Sequence, residues 1–314
     1  MLVTTLHETI FEYSQPIRAT FTEARLWPVS DDGQTCREFS LTVDPMRPLT
    51  ECVDYYGNVV LTFNILREHG RVVLSSRSVV ATHRDPFAPR KSLSDFEVRK
   101  AHCDYLAFDG PVENVPEIEN IVQSTALRTA PRDASWWEPE SIFAAAQNLN
   151  ELIHSKFTYD TEATDVHTHI AEVFARGAGV CQDFAHIFIA ACRASQIPAR
   201  YVSGYLLTRR SRSAAGSPAS HAWAEVLVAG LGWCAFDPTN NLVVNDNYIK
   251  LAVGRDYRDV PPTRGIYNGQ SAGSRLSVRV HTIVDEESAA EIGASDEEST
   301  AFTGSRQAEH ELIG

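Results

Sequence analysis

The stretch GAGVCQDFAHIFIAACRASQIPAR, residues 177–200, decides the fold. Gly177 and Gly179 permit a tight turn, and Cys181 follows at the opening of a helix. Within that helix Phe184, Ile187, Phe188 and Ala191 fall on one apolar face. A helix start exposes unpaired N–H groups and carries about half a positive charge. A thiolate placed there is stabilised, and the same N–H groups can hold the oxyanion of a tetrahedral intermediate. Cys181 is therefore read as a nucleophile. Cys192 lies on nearly the same face about 16 Å further along the helix, too far to assist it, and is read as packing. Cys36, Cys52, Cys103 and Cys234 are read as buried small hydrophobes. No cysteine pair has the C-x-x-C spacing of a zinc site.

Two strands follow the helix. SHAWAEVLV begins with His221 after the small-residue loop SRSAAGSPAS, and GWCAFDPTNN ends its strand at Asp237, where Pro238 stops it. The turn AGLG between them makes an antiparallel hairpin that can bring His221 and Asp237 together. An imidazole there would hold a thiolate as an ion pair and protonate a leaving amine. A carboxylate would fix the imidazole's orientation and tautomer. Nucleophile on a helix, base on one strand and carboxylate on the next make a Cys–His–Asp triad.

The blocks GVCQDFAH, PARYVSGYL, SHAWAEV and WCAFDPTNN, in that order, closely resemble the transglutaminase-like superfamily. The resemblance is densest over residues 145–240. The strand-rich first 80 residues are similar to the N-terminal region that accompanies this core in bacterial members, and GRDYRDVPPTRGIYNG with LSVRVHTIV resembles the usual C-terminal extension. The resemblance implies an α+β, papain-like cysteine-enzyme core with an N-terminal β-sandwich, catalytic roles for Cys181, His221 and Asp237, and no metal or other cofactor. Some animal transglutaminases need calcium, but no acidic D-x-D-x-D-G ligand loop is present. An aromatic side chain upstream of the cysteine assists the oxyanion in parts of the superfamily, and Tyr159, Trp136 and Trp137 are candidates by position.

Working outward, residues 1–85 carry short Val-, Ile-, Thr- and aromatic-rich runs (LVTTLHETIFEY, EFSLTVDP, LTECVDYY, VVLTFNIL, VVLSSRSVV) broken by turn signals such as Gly57-Asn58. This spacing predicts a β-sandwich. Residues 86–150 read as a helical connection packing on the core, with helices in PEIENIVQSTAL and PESIFAAAQNLNELIHSKF. Residues 151–284 are expected to form the catalytic core with its extension. Residues 285–314 hold nine acidic residues and one Arg, a net −8 of the chain's −13, with little apolar surface, and are expected to stay disordered.

The negative charge argues against nucleic-acid and anionic-lipid partners. The opening MLVTTLHETIFEYSQP lacks the basic end and apolar run of a signal peptide, which predicts a cytoplasmic protein with reduced thiols. Gln182, Tyr205 and Trp223 are candidate cleft residues beside Tyr159, with core packing the plainer account of the aromatics. Asp183 is a first-turn carboxylate expected to point away from the sulfur. His186 reads as structural, His167 and His169 as a superficial metal pair without a third ligand, Glu225 as an exposed strand carboxylate, and Arg209, Arg210 and Arg212 as a solvated loop. The expected activity is cleavage of a peptide or protein amide through a thioester. The alternatives are transglutaminase-type amine transfer and a non-catalytic peptide-binding module.

Overall fold

The computed structural model describes residues 1–84, 102–125, 127, 139–207, 220–228, 230–268 and 274–285. Residues 1–84 supply six strands: β1 (Leu2–Ile17), β2 (Ala19–Ala24), β3 (Gln34–Asp44), β4 (Thr50–Val53), β5 (Val59–Ile65) and β6 (His69–Thr82). Val3, Ala24, Leu26, Val43, Phe63, Ile65, Leu74 and Val80 from these strands and their links are buried together in one cluster. Alternation along β1 is the cause, since every second side chain between Val3 and Thr9 turns inward. β2 was not expected from sequence. It follows β1 after a single residue and lies beyond the run LVTTLHETIFEY, which ends at Tyr13.

The sandwich is closed by the far end of the chain. β14 (Thr263–Asn268) pairs antiparallel with β2, and β15 (Ser274–Asp285) pairs with β1 over its whole length, from Leu2↔Asp285 to Tyr13↔Ser274. The two sheets run β15-β1-β6-β3 and β14-β2-β5-β4. This corrects the expected division of the chain: residues 263–285 complete the sandwich and do not extend the core built from residues before them. The reason is edge pairing, since β1 and β2 would otherwise present unpaired N–H and C=O rows.

The second unit is built on a five-stranded antiparallel sheet, ordered β12 (Leu242–Val243), β11 (Gly232–Asp237), β10 (Ser220–Val228), β9 (Ala199–Leu206) and β13 (Tyr248–Gly254). Its helices are α1 (Pro116–Ser124), α2 (Pro139–Lys156), α3 (Ile170–Arg176) and α4 (Cys181–Ala194). Every residue of α4 from Gln182 to Arg193 is buried, which makes it the axis of the core. Ile118, Ile121 and Val122 of α1, Phe143, Leu149 and Ile153 of α2, and Tyr201, Ala222 and Ala224 of the sheet share one cluster with it. Arg193, also buried, donates to the carbonyls of Ala107, Ala199 and Arg255, so its guanidinium ties three segments around the helix end.

Polar contacts join the two units. Asn58 donates to Val253 O and accepts from Val253 N, both at 2.8 Å. His7 bridges Thr9 and the Tyr205 hydroxyl, and burial pushes its imidazole down to about 4, so it is neutral there. Lys250, buried, lies between Asp31 at 2.6 Å and Glu225, whose carboxylate also takes Arg200. Glu225 is thus not the exposed carboxylate expected from sequence. It is 2% exposed, and a buried charge persists there because two cations meet it.

Candidate active site

Cys181 reaches its position through a turn that only this backbone allows. Gly177 ends α3 in the left-handed region, φ 66°, where a side chain is strained. The chain then forms β8 (Ala178–Gly179), which pairs in parallel with β7 (Thr158–Tyr159). Val180 caps α4, and Cys181 is its first residue. The N–H groups of Asp183 and Phe184 already bond to Val180 O. Those of Cys181 and Gln182 precede them and, by the geometry of a helix start, face outward beside the sulfur. Cys181 is half-buried.

Asp183 caps this turn from within the helix. Its Oδ2 accepts from Val180 N at 2.8 Å and from the Thr164 hydroxyl at 2.5 Å, directions that lead to the preceding loop. Burial raises its proton affinity, opposed by those two hydrogen bonds. Gln182, 7% exposed, donates to Val166 O at 3.4 Å and so braces the same loop.

His221 and Asp237 lie on one face of the β10–β11 hairpin. The last paired residues on that side are Ala224↔Phe236, and one further step sets Asp237 opposite Trp223, two residues from His221 on the same face. His221 Nε2 donates to Asp237 Oδ2 at 2.7 Å. Nδ1 takes no part in that bond, and Cys181 lies close enough to raise the proton affinity of His221. The His221 side chain is 11% exposed and Asp237 is fully buried. Burial alone would remove the charge from His221, but the hydrogen bonds with Asp237 and Cys181 and the negative charge of both outweigh it. The imidazole is raised well above 6.5. Burial likewise opposes the Asp237 anion, and His221, Asn240 and Tyr248 overcome it, so the carboxyl is held below its ordinary range.

Asp237 is secured by five donors. Oδ1 accepts from the N–H groups of Thr239 and Asn240, and Oδ2 from His221, from Asn240 Nδ2 at 2.7 Å and from the Tyr248 hydroxyl at 2.7 Å. The turn that supplies Asn240 is itself pinned on α2: His154 bonds to Thr239 O and Asn150 to Asn241. Sequence reasoning missed Asn240 and Tyr248. The first had a signal, since Asn and Thr after an Asp are turn formers whose N–H groups point back at the carboxylate. The second had none.

The aromatic candidates separate. Tyr159, 51% exposed, stands edge-on to Phe184 and senses the charges of Cys181 and Asp237 after its own burial. It is at the rim of the site. Tyr205 is a correction: it is 1% exposed and turned into the sandwich core, where its hydroxyl meets His7. Trp223 is likewise no cleft residue. It is wholly buried beneath His221, with ring centroids 6.2 Å apart, and edge-on to Tyr248. The indole fits because Gly204, across from His221 on β9, has no side chain. A Cβ there would overlap Ile249 O and lie 2.5 Å from Trp223 Cη2. Gly204→Ala is therefore expected to cost about 3 kcal/mol of stability, measured by urea unfolding. Relief requires β9 to shift from Ile249 of β13 as well as from the indole that packs beside His221, so Cys181 reactivity is expected to fall as well.

The remaining candidates are structural. His186, fully buried, accepts from Tyr257 N and packs at a tilt against Tyr201, and burial drives its imidazole down to about 3. His169 pairs with Glu113 at 2.8 Å, and His167 joins the Asp165 turn through its N–H. Among the described residues no group of three or more His, Cys, Asp and Glu could hold a metal ion. No described helix is long and apolar enough to cross a membrane. Cys192 and Cys234 are buried as expected, but Cys36 is only half-buried and Cys52 and Cys103 are exposed, which corrects the reading of all four as buried. Cys52 sits on edge strand β4, every residue of which is exposed. Trp136, Trp137, Arg209, Arg210, Arg212 and residues 286–314 lie outside the described residues.

Comparison with known proteins agrees with this architecture. The transglutaminase-like superfamily core model matches residues 132–238, and the bacterial transglutaminase-like N-terminal region matches residues 3–81. An uncharacterized protein of Mycobacterium leprae is 34% identical over 271 residues, covering 85% of this chain and 93% of the relative. One of Mycobacterium tuberculosis is 32% identical over 292 residues, covering 88% and 91%. A solved structure from Cytophaga hutchinsonii, described as a candidate cysteine protease, superposes with a TM-score of 0.66 at 21% identity, over 89% of this chain and 90% of that one. That likeness carries the fold: an α+β, papain-like core preceded by a β-sandwich. With two family models in order and close relatives over nearly its whole length, the chain belongs to the transglutaminase-like superfamily.

Proposed function

We propose that this protein is a thiol-dependent hydrolase of amide or peptide bonds, with Cys181 as nucleophile, His221 as acid–base and Asp237 as its orienting anion. The observation that carries the reading is the hydrogen bond from His221 to a buried, five-donor Asp237, beside Cys181 at the start of α4. A binding cleft has no need of a buried carboxylate held ionised behind a histidine.

The sulfur attacks the carbonyl carbon, and the C=O electron pair moves to oxygen, which faces the N–H groups at the start of α4. His221 gives its Nδ1 proton to the departing nitrogen as the C–N bond breaks. A thioester and a free amine result. His221, now neutral, takes a proton from water as it attacks the thioester, and a carboxylic acid leaves with the thiolate restored. Water is the favoured acceptor because Cys181 is half-buried rather than enclosed and Tyr159 beside it is half in solvent. Transfer to an amine requires exclusion of water. The substrate class is peptides or proteins, and a reducing compartment such as the cytoplasm suits a chain with no disulfide among its described residues.

The test is iodoacetamide labelling mapped by mass spectrometry between about pH 5 and 9. Exposed Cys52 and Cys103 serve as internal reference thiols. Cys181 is expected to label at least 10-fold faster than both at pH 6 in the wild type, and no faster in His221→Ala. Equal rates in the wild type would sink the thiol-enzyme reading and bring a peptide-binding role forward. Casein digested with and without excess methylamine then separates the acceptors: new carboxyl termini support hydrolysis, and methylamides at glutamine would move the assignment to a transglutaminase.

A further inference from the structure

The geometry points to Tyr248 as a positioning residue of this site, one that holds Asp237 ionised and oriented toward His221 from the opposite edge of the sheet. The inference rests on the hydrolase reading for its consequence, but not for its geometry.

Asp237 ends β11 and Tyr248 begins β13, two strands separated in the sheet by β10 and β9. Tyr248 nonetheless reaches Asp237 Oδ2, crossing beside Trp223, with which it makes an edge contact at 5.4 Å. Both side chains are fully buried. The phenol can act only as a donor here. Burial and the neighbouring carboxylate both push it further from ionisation, and the other polar atom within reach is an anion. Oδ2 therefore receives His221, Asn240 and Tyr248 together, each at 2.7 Å and each from a different segment. Three donors on one oxygen compete for its charge. The tyrosine bond is stronger when His221 is neutral and weaker when His221 is an imidazolium. Its presence thus restrains the histidine's proton affinity while keeping the carboxylate from protonating.

Tyr248 is in turn fixed from the sandwich. Arg84, following β6, donates to the carbonyl of Tyr248, to Asn245 O and to Gln34 Oε1. Its own N–H bonds Asp246 at 2.7 Å. The N-terminal unit is thereby connected to His221 through Arg84, Tyr248 and Asp237, which gives the sandwich a part in the site.

The experiment is the 15N-imidazole titration of His221 by NMR in wild type and Tyr248→Phe, with the signal assigned by its loss in His221→Gln. Tyr248→Phe keeps the ring and its packing on Trp223. The His221 titration is expected to move up by about one pH unit, because its carboxylate partner loses a competing donor. The alkaline limb of amide cleavage, where His221 loses the proton it gives to the departing nitrogen, is expected to move with it. An unmoved or lowered titration overturns the proposal, and a lowered unfolding midpoint with an unmoved titration assigns Tyr248 to packing alone. A shifted titration in a wild-type protein whose Cys181 labels no faster than Cys52 upholds Tyr248 and removes only the hydrolase reading.

Discussion

Replacing Cys181 by Ala is expected to abolish the proposed amide cleavage, and replacing His221 by Ala to lower kcat/KM by about 10^3-fold to 10^4-fold. The two losses have different origins. Without the sulfur no thioester forms, and the remaining N–H groups at the start of α4 can polarise a carbonyl but present no attacking atom. Without the imidazole the thiol keeps its place at the helix start, yet the proton required by the departing nitrogen has no donor. His221 is the base beside Cys181, whereas His186, five residues along α4, is buried against Tyr201 and Tyr257 N. No neighbouring group can substitute. The double variant is expected to be no worse than Cys181→Ala alone, since the residues act as one unit. Steady-state cleavage of a fluorogenic peptide checks the series. Retention of more than a tenth of the wild-type kcat/KM in His221→Ala would mean that another group delivers the proton.

The arrangement of Cys181, His221 and Asp237 was readable because it is written locally. Gly177, Gly179 and Cys181 fall within five residues, and His221 and Asp237 belong to one hairpin, so turn, cap and register rules apply directly. What the pattern of residues could not supply is what packs on what. β15 returns across more than 250 residues to pair with β1, and its alternating sequence fits a strand on any sheet. Glu225 carries the same charge on a strand whether it faces water or lies between Lys250 and Arg200, and only the order of β10, β9 and β13 in one sheet sets those two cations against it. Tyr205 reads as a cleft aromatic until His7, 198 residues away, is seen to take its hydroxyl. Tyr248 escaped for the same reason. Its role is created by a strand order in which β13 lies at the edge opposite β11 and β12.

Asp237→Asn is expected to cost about 10^3-fold to 10^4-fold in kcat/KM, the scale reported by an amide replacement in a serine-protease triad, and about 3 kcal/mol of stability. Both carboxylate oxygens accept: Oδ1 takes two backbone N–H groups, and Oδ2 takes His221, Asn240 and Tyr248. An amide offers one oxygen. Turned toward the backbone, it sets its NH2 against the Nε2–H of His221, which must move its proton to Nδ1 and can no longer accept one from Cys181. Turned the other way, it sets the NH2 against Thr239 N and Asn240 N, and the turn opens. The pH dependence identifies which interaction was lost. His221 is raised in the folded protein, so its contribution to stability is fully present below about 6.5 and disappears as the pH climbs through the raised value. Asp237 is depressed, so its contribution is present above about 3.8 and disappears as the pH falls through the lowered value. The stability difference between wild type and Asp237→Asn is therefore largest between about pH 4 and 6.5 and narrows in alkali, which urea unfolding at pH 5.5 and above pH 10 measures. The alkaline limb of activity should meanwhile retreat toward the ordinary histidine range near 6.5, because the imidazolium has lost its anion. A constant stability gap with an unmoved limb would show that Asp237 supports the hairpin through its turn alone, and that His221 owes its charge to Cys181.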